Sequence, residues 1–280
     1  MKVAVMTDST AYIDKEIRDK HQIYMVPLSV QFADTSYREE IDITTDEFYR
    51  KLKESKELPK TSQPSIGDIT SLLEELAKDY DAVISIHLSS GISGTYQAVV
   101  SAGEMVEGID VYAYDSEISC MAQGFLVLEA VELIAKGKQP AEVIKRLDEI
   151  KVTTRSYFMV DDLSNLQRGG RLNGAQAIIG SLLQVKPILH FVDKIIVPFE
   201  KIRTKKKAIQ RILDLLEEDA SQGQRLKIAF IHANREGEAI ELQQKFLAKY
   251  PDMDTTISYF GPVIGTHLGE GALGVTWYKK

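Results

Sequence analysis

The 280-residue chain has a single cysteine, no excess of positive charge and no long apolar run. Cys120 alone cannot form an internal disulfide, which fits a reducing compartment. The net charge of −7 argues against a general nucleic-acid or membrane-surface binder, because both targets attract basic proteins. No apolar run approaches the roughly 20 residues that span a bilayer, and no secretory apolar segment precedes Asp8. We therefore expect a cytoplasmic protein that binds no nucleic acid and does not insert stably into a membrane.

Strand and helix patterns alternate along the first half of the chain. Strands are predicted at 2–9, 24–32, 81–88 and 111–116, and helices at 44–55, 65–80 and 121–137. This alternation is typical of a mostly parallel sheet wrapped by helices. The pattern changes after the helix at 140–154, with strands predicted at 156–160, 193–202 and 227–234 and helices at 206–218 and 238–250. The sequence thus predicts two α/β domains, a Rossmann-like one at 1–153 and a second at 154–280.

Small polar residues follow several strands of the predicted parallel sheet. They form the clusters Thr7–Thr10, Ser89–Thr95 and Asp115–Ser116. Because ligands of such sheets collect at the carboxyl ends of the strands, we expect these clusters to lie together.

The stretch LSSGISGTYQ at 88–97 has the composition of a ligand-binding turn. It lacks the Walker and Rossmann glycine patterns, and its Gly91-Ile92-Ser93-Gly94 order is out of frame for a hydrolase elbow. A strand, a glycine turn and a helix start could hold a carboxylate or phosphate through backbone N–H groups and the Ser93 and Thr95 hydroxyls. The same residues could equally be only a capped helix start.

Other polar stretches give further candidates. Thr61 and Ser62 precede Ser65, which is expected to cap the next helix. His267 lies between Gly265 and Gly269, whose flexibility favours a close approach to a ligand. No histidine or cysteine spacing indicates a metal site.

Several motifs, in this order along the chain, resemble those of the DegV family. They are TDST at 7–10, TSQPS at 61–65, LSSGISGTYQ at 88–97, LQRGGR at 166–171, VPFEKIRTKKKA at 197–208 and IGTHLGEGALG at 264–274. The resemblance implies a binding protein of two α/β domains that holds a long-chain fatty acid in a buried tunnel between them. It also implies a partner, a fatty acid kinase subunit that phosphorylates the bound carboxylate to give an acyl phosphate for phospholipid synthesis.

The resemblance also assigns roles to individual residues. The carboxylate-binding threonine and serine of the family correspond to Thr61 and Ser93, and the family histidine corresponds to His267. Ser62 and Gly94, their neighbours in these motifs, complete the expected carboxylate site. Arg171 and Arg203 are candidates for docking the kinase, since they are basic groups on an acidic chain. We expect no catalysis by this chain, no cofactor and no metal.

Two other functions stay open from the sequence. One is an acyl hydrolase that uses Ser93 with His267 and an acidic residue such as Asp8 or Asp115. The other is a lipid sensor that signals through protein contacts. Acyl chain length, saturation and oligomeric state are not encoded in any motif that we find.

Overall fold

The computed structural model describes residues 1–55, 57–172 and 186–280. Its strands are β1 (Val3–Asp8), β2 (Ile23–Val26), β3 (Ser29–Phe32), β4 (Thr35–Arg38), β5 (Lys60–Ser62), β6 (Ala82–His87), β7 (Asp110–Asp115), β8 (Arg155–Met159), β9 (Ile188–Val192), β10 (Ile195–Glu200), β11 (Leu226–His232), β12 (Asp254–Tyr259) and β13 (Leu273–Lys279). Its α-helices are α1 (Lys15–His21), α2 (Thr45–Glu54), α3 (Ile66–Leu76), α4 (Thr95–Gly103), α5 (Met121–Ala135), α6 (Pro140–Thr153), α7 (Ser164–Arg168), α8 (Lys205–Ala220), α9 (Glu236–Leu247) and α10 (Pro262–Leu268). None of the helices found in these ranges is long and apolar enough to cross a membrane.

Two large sheets organise the chain. The first has four strands in the order β2-β1-β6-β7, all parallel. The second has six strands in the order β10-β9-β8-β13-β11-β12, mostly antiparallel with one parallel pair, β11 and β12. A three-stranded antiparallel sheet, β4-β3-β5, lies beside them. The predicted α/β fold with a parallel first sheet is therefore confirmed.

The two large sheets and their helices form alternating layers. Helices α3 and α4 pack on one face of the parallel sheet, where they enclose an apolar cluster around Leu73 and Val99. Helix α5 packs against strands of both large sheets, which explains why it is apolar on most sides. Helix α8 packs on the far face of the mixed sheet, where residues of α8 and α9 enclose a second cluster around Phe230 and Trp277. The third and largest cluster fills the space between the two sheets.

Local signals explain most helix ends. Thr44 caps α2 and exchanges hydrogen bonds with Glu47, and Ser65 caps α3 by accepting from the Asp68 N–H. The predicted strand 24–32 instead divides into β2 and β3, which belong to different sheets. Pro27 stands at the break, and a residue without an N–H cannot continue the ladder of a strand.

The domain boundary at 153 stays a prediction. Helix α6 ends at Thr153 and β8 begins at Arg155, and the mixed sheet draws its strands from the later part of the chain. The glycine-rich tail folds as α10 and β13, and α10 packs back against α2, β3 and β5. The sequence at 166–189 predicts a further helix, apolar on nearly every side, and most of that stretch lies outside the described residues.

Candidate functional site

A cavity of about 330 Å³ opens between the two large sheets. Its interior is lined by apolar side chains from both halves of the chain, among them Leu28, Leu88, Phe158, Leu166, Ile231 and Phe260. A second group of lining residues is polar or glycine: Thr61, Ser62, Gln63, Ser93, Gly94, Arg171 and His267. Ser62, Gln63 and Gly94 are exposed. The cavity is thus amphipathic, with a polar mouth and an apolar interior.

All the residues predicted to bind a carboxylate line this cavity. They are Thr61, Ser62, Ser93, Gly94 and His267. Thr61 lies on β5 opposite Val30 of β3, Ser93 and Gly94 immediately precede α4, and His267 lies on α10. The fold therefore brings together side chains that are separated by up to 206 residues in sequence. Their role in binding stays a prediction.

The central polar contact of the mouth joins His267 to Thr61. The His267 Nε2 lies 2.9 Å from the Thr61 Oγ1, and Nδ1 is buried without a hydrogen-bond partner among the described residues. We assign the proton to Nε2, since a proton on Nδ1 would be a buried donor without an acceptor. Nε2 then donates to Thr61, and the Thr61 hydroxyl proton is free to donate into the cavity.

His267 is uncharged at neutral pH. Burial, and secondarily the nearby Arg171 cation, lower the pKa of the imidazole from 6.5 to about 4. The Gly169 backbone packs closely against Nδ1 of His267, since a Cβ on that residue would lie 2.3 Å from the nitrogen. Glycine at 169 is therefore required for the observed position of the ring.

The serine-rich turn forms the other side of the mouth. Its Ser93 Oγ lies 2.9 Å from the Thr95 Oγ1 and accepts a hydrogen bond from the Thr95 N–H at 3.3 Å. Gly94 is the N-cap of α4 and contributes no side chain to cap it. The turn thus serves the helix start, and its Ser93 also lines the cavity. That the turn holds an anion stays a prediction.

The turn is also fixed to the second sheet. The Ser89 Oγ donates to the Lys194 carbonyl at 2.6 Å, and the Lys194 Nζ pairs with Asp115 at 3.0 Å. A Cβ on Gly91 would lie 2.4 Å from the same carbonyl oxygen, so the close approach requires glycine. The turn between β9 and β10 therefore packs directly on the serine-rich turn.

Arg171, predicted as a docking residue, lines the cavity and is half-buried. Its Nε donates to the Ile92 carbonyl at 3.1 Å and its Nη1 to the Gly169 carbonyl at 2.5 Å. The guanidinium thus holds the serine-rich turn next to the Gly169–Arg171 turn and adds positive potential beside His267.

Hydrogen bonds from early elements hold the segment that carries His267. The bonded pairs are Tyr259 with Glu40, Phe260 with Tyr49, Val263 with Glu39, Ile264 with Tyr12, and His267 with Thr61. Glu39 also accepts from the Ser9 and Tyr12 hydroxyls, and its burial raises the pKa of the carboxyl to about 8. The position of the imidazole therefore depends on contacts along the whole of α10.

The acidic residues considered for a hydrolase are bound elsewhere. The Asp8 Oδ2 lies 3.0 Å from the His87 Nδ1 and accepts from the Leu88 N–H at 3.0 Å. Asp115 accepts from the Ser90 hydroxyl and N–H and pairs with Lys194. These bonds show that the polar clusters at the strand ends do meet, as predicted. Neither carboxylate contacts His267, and His267 does not contact Ser93, so no Ser93-based triad forms in the described part of the chain.

Arg203 is exposed and immediately precedes Thr204, the N-cap of α8. The first turn of α8 carries no acidic residue, and Lys205 pairs with Glu238 at 2.9 Å. Positive charge at a helix N-terminus opposes the helix dipole, so this basic run is not there to stabilise the helix. Within the described ranges, no group of His, Cys, Asp and Glu side chains is arranged to hold a metal ion.

The architecture is that of a two-sheet α/β protein with an internal amphipathic cavity. The sequence model described as "Uncharacterised protein, DegV family" matches residues 2–280. The chain is 62% identical over 281 residues to Protein DegV of Bacillus subtilis strain 168, covering 100% of both chains. The chain therefore belongs to the DegV family.

Solved structures give the same relationship. The crystal structure of DegV, a fatty acid binding protein from Bacillus subtilis, matches with a TM-score of 0.96 and 62% identity over 100% of each chain. The fatty acid binding DegV family protein SAG1342 from Streptococcus agalactiae matches with a TM-score of 0.92 and 35% identity, over 100% of this chain and 99% of that one.

Proposed function

We propose that this chain binds a long-chain fatty acid in the cavity between its two sheets, with the carboxylate at the mouth. The observation that carries the proposal is the pairing of an apolar interior with a mouth that holds Thr61, Ser93 and the uncharged His267. The related proteins of known structure are described as fatty acid binding, which supports a binding role rather than catalysis.

The acyl chain supplies most of the affinity. Each buried methylene contributes roughly 0.8 kcal/mol, so a dozen contribute about 10 kcal/mol before the cost of ordering the chain. The head group then needs only enough hydrogen bonds to fix its orientation.

The carboxylate accepts from neutral donors. The Thr61 hydroxyl donates one hydrogen bond while His267 donates to Thr61, and the Ser93 hydroxyl and the Gly94 N–H supply others. Arg171 adds a nearby positive charge, although its guanidinium already donates to two backbone carbonyls. Neutral donors leave a carboxylate oxygen more nucleophilic than a bidentate arginine pair would.

We further propose that the bound carboxylate is presented to a fatty acid kinase, which forms an acyl phosphate. The exposure of Ser62, Gln63 and Gly94 supports access of a partner to the head group. Arg203 and the basic run after it offer a surface for an acidic or phosphate-bearing partner.

The kinase step is tested by acyl phosphate formation with a purified fatty acid kinase subunit. Charge reversal in Arg203→Glu should slow formation about tenfold or more while fatty acid binding is unchanged. An unchanged rate would remove Arg203 from the docking surface.

A further inference from the structure

Gln63 lines the cavity at its mouth and has no part in the carboxylate site described above. It directly follows β5 and is exposed, and the next residue, Pro64, is buried. A residue before proline is restricted to extended backbone, so Gln63 continues the direction of β5. The fold therefore fixes the direction in which the Gln63 side chain leaves the backbone.

Strand alternation places Gln63 on the same side of the chain as Thr61. Side chains two residues apart in extended backbone point to the same face, and their Cα atoms lie about 6.6 Å apart. Thr61 is the residue whose hydroxyl contacts His267 at the mouth. The carboxamide of the long Gln63 side chain thus lies within reach of a carboxylate that accepts from Thr61.

The Gln63 carboxamide packs against the serine-rich turn. A Cβ on Gly94 would lie 2.1 Å from its Oε1, 3.2 Å from its Cδ and 3.6 Å from its Nε2. Oε1 therefore lies on the Gly94 backbone, at the start of α4 and next to Ser93. Nε2 is further from this backbone and is the end of the carboxamide that can face a ligand. Glycine at 94 leaves the space that the carboxamide occupies.

The fold does not use this carboxamide. Its Oε1 and Nε2 form no hydrogen bond with any group in the described part of the chain. The carboxamide of Gln123, in contrast, is buried and bonded to the hydroxyls of Thr7 and Thr10. The two Nε2 protons of Gln63 are neutral donors, the kind that the proposed carboxylate site takes from Thr61 and Ser93.

We propose that Gln63 is a further head-group residue, whose Nε2 donates to the carboxylate of the bound fatty acid. The inference rests on the proposed function and adds a residue that selects for an anionic head group. With Oε1 on Gly94 and Nε2 on the carboxylate, the side chain joins β5 to the serine-rich turn across the ligand.

Two substitutions of opposite charge test this contact. Gln63→Glu keeps the shape of the side chain but puts a second negative charge beside the ligand carboxylate, which should weaken hexadecanoic acid binding by about tenfold or more. Gln63→Lys puts a cation there and should leave the affinity equal or raise it. Displacement of a fluorescent fatty acid from the delipidated full-length chain measures both affinities. In about 0.15 M salt, exposed charges more than about 8 Å apart are largely screened, so the measurement reports short-range contacts.

Gln97→Glu is the matched control, because Gln97 is exposed in the first turn of α4 and does not line the cavity. This control should change the affinity by less than about threefold. Equal weakening by Gln63→Glu and Gln63→Lys would indicate a structural role and overturn the inference. An affinity of Gln63→Glu no lower than that of Gln97→Glu would overturn it as well. Failure of the wild-type chain to bind hexadecanoic acid would instead overturn the proposed function on which the inference rests.

Discussion

The chain buries two histidines that touch a hydroxyl, and only one of them lines the cavity. His87 lies between the Ser85 Oγ at 2.5 Å and the Asp8 Oδ2 at 3.0 Å, with no exposed surface. His267 contacts Thr61 through one nitrogen, leaves the other unpaired and borders the cavity. The His87 group has the residue types of a hydrolase triad, and the His267 group does not.

This difference shows that the residue types of a hydrolase triad also occur in a sealed core. A serine, histidine and aspartate that satisfy one another in a sealed core stabilise the fold, because every polar atom has its partner. A histidine with an unpaired nitrogen at a cavity is costly to the fold, and that cost indicates a different use. The comparison predicts that substitutions in the His87 group lower the stability of the fold and that substitutions in the His267 group weaken ligand binding.

The largest effect is expected from Asp8→Ala. This change leaves His87, the Leu88 N–H and the Thr10 hydroxyl without their acceptor, and breaking such a buried pair typically costs about 3 to 5 kcal/mol. His267→Ala should lower the free energy of unfolding by at most about 1 kcal/mol, because that ring borders a cavity. Urea unfolding of both variants measures the contrast, and equal losses would erase the distinction between the two sites.

The next effect is a pH dependence that belongs to His267. Its pKa is lowered from 6.5 to about 4, so the unfolded chain binds a proton in that window and the folded chain does not. The free energy of unfolding is therefore unaffected by this group above pH 6.5 and falls by up to about 3 kcal/mol as pH falls toward 4.

A matched variant isolates the part of the pH dependence of unfolding that is due to His267. Glu39 acts in the opposite direction, since its raised pKa of about 8 gives a contribution that is lost as pH rises from 4.5 through 8. The useful quantity is therefore the difference in unfolding free energy between wild type and His267→Gln. The difference, wild type minus variant, should fall by up to about 3 kcal/mol as pH falls from 6.5 to 4, so that the variant becomes the more stable protein at low pH. A constant difference would contradict the assigned neutral imidazole.

A smaller effect is expected at the Thr61 hydroxyl. Thr61→Val keeps the shape of the side chain and removes the donor to the carboxylate, so fatty acid affinity should fall about tenfold to a hundredfold. Thr70→Val, which removes a hydroxyl that bonds only the Ile66 carbonyl on α3, is the control and should leave affinity unchanged. Displacement of a fluorescent fatty acid gives both values, and equal affinities of Thr61→Val and wild type would remove Thr61 from the site.

The smallest effect concerns the position of the His267 ring. Gly169→Ala would place a Cβ 2.3 Å from Nδ1, so the ring must shift and affinity should fall about fivefold to tenfold. Gly237→Ala, where a Cβ meets nothing within 4 Å, is the matched control and should change affinity by less than twofold, within roughly 0.4 kcal/mol. Identical behaviour of the two variants would show that the ring position does not matter for binding.

Local features of the fold were predictable from sequence because their causes are local. The Thr44 and Ser65 caps and the strands around Val5 and Ile84 follow from nearest neighbours and from apolar patterns. Strand β12, with the sequence DTTISY, was missed because it is largely polar and lies at the sheet edge. The break at Pro27 was missed because the two strands it separates are both apolar.

Local sequence made Thr61, Ser62, Ser93 and His267 separate candidates, and only the family resemblance joined them into one predicted site. No spacing rule connects Thr61 with His267 or Arg171 with Ile92, because tertiary packing brings these pairs together. Gln63, whose amide oxygen would lie 2.1 Å from a Cβ on Gly94, lies within the TSQPS motif and also lines the cavity.

The central claim is that the cavity beside His267, and not the sealed His87 site, holds a fatty acid by its carboxylate. The most direct test is mass spectrometry of the solvent extract from purified wild-type protein, with Thr61→Ala/Ser93→Ala in parallel and Ser85→Ala as the control. The account predicts a stoichiometric fatty acid in wild type and Ser85→Ala and its loss from the double variant. Protein that yields no lipid, even after incubation with fatty acids, or a double variant that retains it fully, would contradict the account.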